Sequence, residues 1–304
     1  MEYVLKTNNL TKKYKRTEVL NNLNMKVEKG AIYGLIGKNG AGKTTLIRII
    51  TGLQSPTKGD YKIYGISHQD KKINNLRTRV SAIVEVPALY LNLTAEENLI
   101  EHYKTIGIPS YDDINEVLSL VGLTNTKNKQ VKYFSLGMKQ RLAIALALSS
   151  NPDFLILDEP INGLDPQGII EIRELILKLN QTKGITLLIS SHYLDELSKI
   201  ATHYGFINNG KIIEEISTAE LKKKLKKKIV FKVSNIKEFT KYLENKKTTY
   251  EVIDKKIVHV FDKVDITKIV LAVSKKNCTI EEMHEVNETL ENYYINLIGG
   301  ENND

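Results

Sequence analysis

Gly37-Lys38-Asn39-Gly40-Ala41-Gly42-Lys43-Thr44 reads G-x-x-x-x-G-K-T and stands between two segments of different character. Ahead of it, Ala31 to Ile36 is a short apolar run of strand length. Behind it, Thr45 to Ile50 is a helix-compatible apolar run that ends at Thr51-Gly52. The pattern therefore predicts strand, glycine loop and helix in succession, the context that gives such a loop a mechanism. Gly37, Gly40 and Gly42 carry no Cβ, so the backbone can curl and point successive N–H groups inward. Those donors and the positive end of the following helix suit a chain of phosphates. Lys43 is placed to reach the β- and γ-phosphates, and the Thr44 hydroxyl to complete a Mg²⁺ shell. The implied ligand is a nucleoside triphosphate.

Downstream stretches supply chemistry for the same ligand. Phe154-Leu155-Ile156-Leu157-Asp158-Glu159 is four apolar residues and then two acids. Such a run fits a strand buried on both faces of a parallel sheet, whose carboxyl end is where open α/β sheets bind ligands. Asp158 could hold Mg²⁺ there, and Glu159 could polarise an attacking water. Ile185 to Ile189 reads as another buried strand and ends in Ser190-Ser191-His192, which puts His192 in position to sense a γ-phosphate. Ser135 is a good N-cap for a buried helix running through Leu142 to Leu148, and with Gly137 it offers a second anion site. Tyr14, alone among cations, either stacks on a base or half-packs at a strand edge.

The remaining chain sets the context. Strands are expected at Val4–Thr11, Leu23–Val27, Gly59–Tyr64 and Val80–Val84, with a helical insert over 85–130 that opens on the capping pair Thr94 and Glu97. A helix from Pro166 and a hairpin over Tyr204–Ile216, turning at Asn208-Asn209-Gly210, close a first domain, 1–218. Leu221, Leu225 and Ile229 recur every four residues among lysines, predicting a basic linker helix over 219–230. It is either a solvated linker or a contact with an anionic membrane face. The last part, 231–304 with a first strand at Ile229–Val233, reads βαββαβ and then a helix over Glu288–Ile298, an α+β, ferredoxin-like order. Its last helix is expected to pack back on the first domain. At 41% apolar residues, with no apolar run of membrane-spanning length, no signal core over Met1–Leu10 and one cysteine, Cys278, the chain is expected in the cytoplasm. The net charge of +8 is a moderate basic excess, open to nucleic acid, a membrane surface or plain lysine richness.

With these segments laid out, residues 3–218 resemble the ATP-binding cassette subunit of ABC transporters, with the family's motifs in the family's order. Gly37–Thr44 matches Walker A and Leu155–Glu159 Walker B. Phe134–Met138 matches the signature, Gly163-Leu164-Asp165 the D-loop, and His192 the switch histidine. The resemblance implies a P-loop ATPase core, a mixed α/β sheet with a helical subdomain over about 85–150, that hydrolyses ATP with Mg²⁺. It implies ATP contacts from Tyr14, Gly37, Asn39, Gly40, Ala41, Gly42, Lys43, Thr44 and Thr45, and catalysis by Glu159, His192 and Lys43. Mg²⁺ would be held by Thr44, Asp158 and Glu85. Ser135 and Gly137 would act in trans across a homodimer or heterodimer of cassettes, beside Asp165. The implied partner is a permease from another chain at the cytoplasmic face of the membrane, without nucleic acid.

Two departures narrow the resemblance. Phe134, Leu136 and Met138 replace three residues of the usual L-S-G-G-Q, and Glu85 stands where a glutamine is usual. Both resemble the subgroup that exports bacitracin or lantibiotics. The alternative reading is a related ATPase of nucleic-acid or ribosome processes. Such ATPases carry long heptad inserts or tandem cassettes, and this sequence has neither.

Overall fold

The structure, a computed structural model, describes residues 2–85, 88–126, 128–225, 227–262, 264–287 and 289–299. Two compact units divide the chain, Met1–Thr218 and Ala219–Asp304. The first contains β1 (Tyr3–Tyr14), β2 (Thr17–Leu23), β3 (Lys26–Glu28), β4 (Ile32–Ile36), α1 (Lys43–Ile50), β5 (Lys58–Ile63), β6 (Ile66–Ser67), α2 (Ile73–Arg77) and β7 (Val80–Ile83). It continues through α3 (Ala95–Ile106), α4 (Ile114–Leu120), α5 (Leu136–Leu148), β8 (Phe154–Asp158), α6 (Pro166–Lys183), β9 (Thr186–Ser191), α7 (Leu194–Ser198), β10 (His203–Asn208) and β11 (Lys211–Ser217).

A six-stranded sheet in the order β11-β10-β4-β9-β8-β7 forms the centre. Strands β10, β4, β9, β8 and β7 run parallel, and β11 returns antiparallel through the Asn208-Asn209-Gly210 turn. Strands β4, β8 and β9 are buried at every residue, as a sheet covered on both faces requires. An antiparallel sheet, β2-β1-β5-β6 with β3 beside β1, shares a core with it. Helix α1 belongs to that core through Leu46, Ile47, Ile49 and Ile50, each worth ~1.5–3 kcal/mol of burial. The loop at the head of α1 is thereby anchored from behind.

The sequence departs from this picture in places with physical causes. The expected strand Leu23–Val27 is two strands, broken at Asn24-Met25. The Thr7 hydroxyl bridges the break, donating to the Leu23 carbonyl (3.1 Å) and accepting from the Met25 N–H (2.8 Å). Neither β6 nor α2 is visible as a periodic pattern, both being too short to carry one. Between β7 and β8 the described residues form α3, α4 and α5 with two 3₁₀ turns, Thr124–Thr126 and Val131–Tyr133, and no strand. Thr94 and Glu97 make the expected capping box at the head of α3.

The second unit follows the start of α8 (Thr218–Lys224), with β12 (Lys227–Val233), α9 (Ile236–Asn245), β13 (Tyr250–Val252), β14 (Ile257–Val260), α10 (Ile266–Ser274), β15 (Ile280–Asn287) and α11 (Leu290–Gly299). Its antiparallel sheet has the order β13-β14-β12-β15, the ferredoxin-like arrangement. The basic helix is shorter than the expected 219–230. Ile229, Phe231 and Val233 alternate toward Phe239, Leu243, Val258 and Val260, and this β-branched and aromatic stretch is captured by the sheet. The expected start of the last helix, Glu288, lies outside the described residues.

Candidate functional site

Parallel register gathers the singled-out residues at one edge. Ile36 pairs with Ser191, Asp158 with Ser190, and Ile83 with Leu157, so the carboxyl ends of β4, β9, β8 and β7 lie side by side. The loop after β4 needs its glycines for different reasons. A Cβ on Gly37 would stand 2.6 Å from the Ile207 carbonyl, and Gly42 has φ 109° with the Val19 carbonyl 3.0 Å from where its Cβ would be. The loop is also held from the β10–β11 turn. The Gly210 N–H donates to the Ala41 carbonyl (3.0 Å), while the Gly210 carbonyl accepts from the Asn21 N–H (3.0 Å). Asn39 and Gly40 are exposed, and Thr44 and Thr45 are half-buried at the head of α1.

No side chain caps α1. By contrast Thr94, Ser135, Asp165, Asn235 and Asp265 cap α3, α5, α6, α9 and α10. The first N–H groups of α1 are left for an anion, the role that capping oxygens fill in those five helices, whereas the short α2, α4 and α7 also lack a side-chain cap. Lys43, only 6% exposed, donates to the carbonyls of Gly37 (2.7 Å) and Lys38 (3.4 Å) and lies 3.2 Å from Glu159 Oε1.

Glu159 is fixed from both ends. Its backbone has φ 49°, and its N–H donates to the carbonyl (3.1 Å) and hydroxyl (3.0 Å) of Ser190. Its carboxylate lies between Lys43 and His192, whose Nδ1 is 2.8 Å from Oε2. The Ser190 hydroxyl also donates to Asp158 Oδ1 (2.5 Å), holding that buried carboxylate at the strand end. Ser190 is the positioning residue that sequence reasoning passed over. A hydroxyl pair ending an otherwise apolar strand was the available signal. Behind the loop, burial and then Glu215 push the Tyr33 phenol on β4 well above its usual range, so it donates to Glu215 (2.8 Å). Gly205 makes room for it, since a Cβ there would stand 2.0 Å from the Tyr33 hydroxyl oxygen.

Other singled-out residues sit further out. Tyr14 ends β1 at the hairpin whose other strand, through Val19 and Leu20, abuts Gly42. Its ring is 40% exposed, with its hydroxyl on Gln54 and Lys12 Nζ 5.1 Å from the ring centre. Glu85, just past β7, is paired with Arg48 of α1. Ser135 caps α5, accepting from the Met138 N–H (3.2 Å), and a Cβ on Gly137 would meet Gly168 of α6 at 3.6 Å. Asp165 caps α6 through the Gly168 N–H (3.3 Å). The Ser135 hydroxyl is thus engaged within its own helix.

A groove of about 1110 Å³ lies between the β7 edge and the helices, lined by Leu53, Val80, Ile83, Ile106, Ala143 and Leu146 among others. His102 also lines it, and burial lowers its pKa, partly offset by a hydrogen bond with the Leu146 backbone. Among the described residues no helix is long and apolar enough to cross a membrane.

The ABC transporter family profile matches residues 20–162, from β2 through the Asp158–Glu159 pair. The chain is 42% identical to the bacitracin transport ATP-binding protein BcrA of Enterococcus faecalis over 305 residues, covering 99% of this chain and 98% of that protein. It is 47% identical to the lantibiotic transport ATP-binding protein SrtF of Streptococcus pyogenes, covering 70% of this chain and 90% of that one. Among solved structures, the dimeric post-hydrolysis state of the ATP-binding cassette MJ0796 with ADP and Pi superposes with a TM-score of 0.62. Identity there is 28%, covering 70% of this chain and 98% of that chain. The chain belongs to the ATP-binding proteins of ABC transporters, adenine-nucleotide-binding ATPases whose hydrolysis is coupled to transport.

Proposed function

We propose that this chain is the energy-coupling ATPase of an exporter that removes peptide antibiotics of the bacitracin or lantibiotic type. Full-length similarity to a bacitracin transport protein supports the substrate class. The observation that carries the ATPase site is the uncapped head of α1, with Lys43 facing Glu159 and His192. Loop N–H groups from Gly37 to Thr45 cradle the phosphates, and the Tyr14 ring offers a face to adenine. Thr44 and the Ser190-held Asp158 present hard oxygen donors that fit Mg²⁺, which when bound neutralises charge on the β- and γ-phosphates. An arriving triphosphate gives Lys43 a new anionic partner. Glu159 Oε1 is then released to accept a proton from water, while His192 retains Oε2.

Ser135 and Gly137 serve the loop of a second cassette, a reading that the likeness to a dimeric ATP-binding cassette supports. Asp165, capping α6 beside them, borders that junction. The apolar groove takes a segment of a permease made from another chain, which holds this subunit at the cytoplasmic face of the membrane. The test is to isolate the chain from membranes with its partner and measure survival against bacitracin and lantibiotics. Copurification with a polytopic membrane protein, and protection lost in Glu159→Gln, are expected. Tight DNA or RNA binding without a membrane partner would overturn the reading.

A further inference from the structure

Arg48 lies one helical turn beyond Thr44 on the same face of α1. Its guanidinium is ion-paired with the Glu85 carboxylate. Glu85 stands two residues past Ile83 on β7, and Glu159 stands two residues past Leu157, the register partner of Ile83 on β8. Arg48 and Glu85 therefore meet at the same edge of the sheet as Thr44, Asp158 and Glu159. The Glu85 backbone, at φ 62°, is in the left-handed region, which is uncommon for a residue with a side chain. The pair is open to solvent, with side chains 35% and 60% exposed. Exposed ion pairs are weak, so this carboxylate can be given up to a stronger cation.

We propose that Arg48 is a positioning residue that parks Glu85 away from the metal position, so that guanidinium and divalent cation compete for one carboxylate. This rests on the metal reading of Thr44 and Asp158 given above. The competition is specific to a glutamate at residue 85, because a neutral amide there would pair weakly with either cation. Val84, the residue before Glu85, also lines the groove. An occupant of the groove that shifts Val84 changes the balance between Arg48 and the metal, and with it the cation that ATP binding requires.

The experiment uses the intact purified chain and a non-hydrolysable ATP analogue, with nucleotide binding titrated against Mg²⁺. Arg48→Gln frees Glu85 and is expected to lower the half-saturating Mg²⁺ concentration about fivefold, the lower end of ordinary coupling between sites. Arg48→Lys, which keeps the charge, should restore most of the wild-type requirement. In a Glu85→Gln background, Arg48→Gln should have no further effect. An equal shift in both backgrounds, or no shift in either, overturns the proposal. Asp158→Asn separates the two layers. If it raises the Mg²⁺ requirement while Arg48→Gln does nothing, only the role of Arg48 fails. If Asp158→Asn changes nothing, the metal reading fails and the proposal falls with it.

Discussion

The phosphate loop and the signature stretch differ in how much of their environment this chain supplies. Lys43 is 6% exposed and engages Gly37, Lys38 and Glu159, and the Ala41 carbonyl is met by Gly210. At Phe134–Met138 only Phe134 is deeply buried among the large apolar side chains. Leu136 is 51% exposed, and the Ser135 hydroxyl is engaged by its own helix. One region is closed by its own fold, and the other leaves Ser135 and Leu136 exposed at a helix head. That contrast fits the proposed pairing of cassettes, in which each loop would meet the signature stretch of a partner.

The sharpest way to break this contrast is Glu159→Gln. Turnover should fall by about 10²–10⁴-fold, the usual worth of a positioned base, with nucleotide binding kept. Phosphate release beside equilibrium binding checks it, and wild-type turnover would remove Glu159 from the role. Lys43→Ala should weaken ATP binding by about 10- to 100-fold, the worth of one charged hydrogen bond. The reciprocal pairing is tested by mixing chains. Ser135→Asp keeps a capping oxygen but places an acid against the partner's phosphates. Mixed with Lys43→Ala chains it should recover ATPase activity that neither variant has alone, because one dimer site is then intact. No recovery means that each site is complete within a chain.

Smaller effects concern the helical part. Thr94→Ala removes half of a capping box and should cost about 0.5–2 kcal/mol in thermal or denaturant unfolding, with nucleotide affinity unchanged. The smallest is at His102. Its folded pKa lies below the ordinary value near 6.5, so the unfolded chain takes up the proton first. That part of stability is full above about pH 6.5 and is lost as pH falls through the folded value. His102→Gln should flatten the acid side of a melting-temperature profile over that range.

Legibility followed the length and periodicity of each segment. The strand, loop and helix around Gly37–Thr44 are read from one apolar run, three glycines and a second apolar run, and each lies where expected. The ferredoxin-like order is read from short apolar segments at Ile229–Val233, Lys256–Val260 and Ile266–Lys275, and β12, β14 and α10 lie there. The basic helix is shorter than the spacing of Leu221, Leu225 and Ile229 predicts, because Ile229 belongs to a strand and packs in the core of the second unit. Ser190 and Arg48 escaped notice for a different reason. Their partners are 32 and 37 residues away, and although the hydroxyl pair ending β9 marks Ser190, no local pattern names a partner at that range.

By itself the sequence determined which chemical groups are present and which local conformations they adopt. Glycine spacing, capping residues and apolar runs act within a few residues, so the loop, the capped helices and the acids ending Phe154–Glu159 are local consequences. Tertiary structure alone decided who meets whom. Parallel pairing of β4, β9, β8 and β7 brings Lys43, Asp158, Glu159 and His192 to one edge, and Glu85 to Arg48. The reason is physical. Strand register and helix packing are set by burial summed over the whole core, and that sum is not contained in any one stretch of the chain.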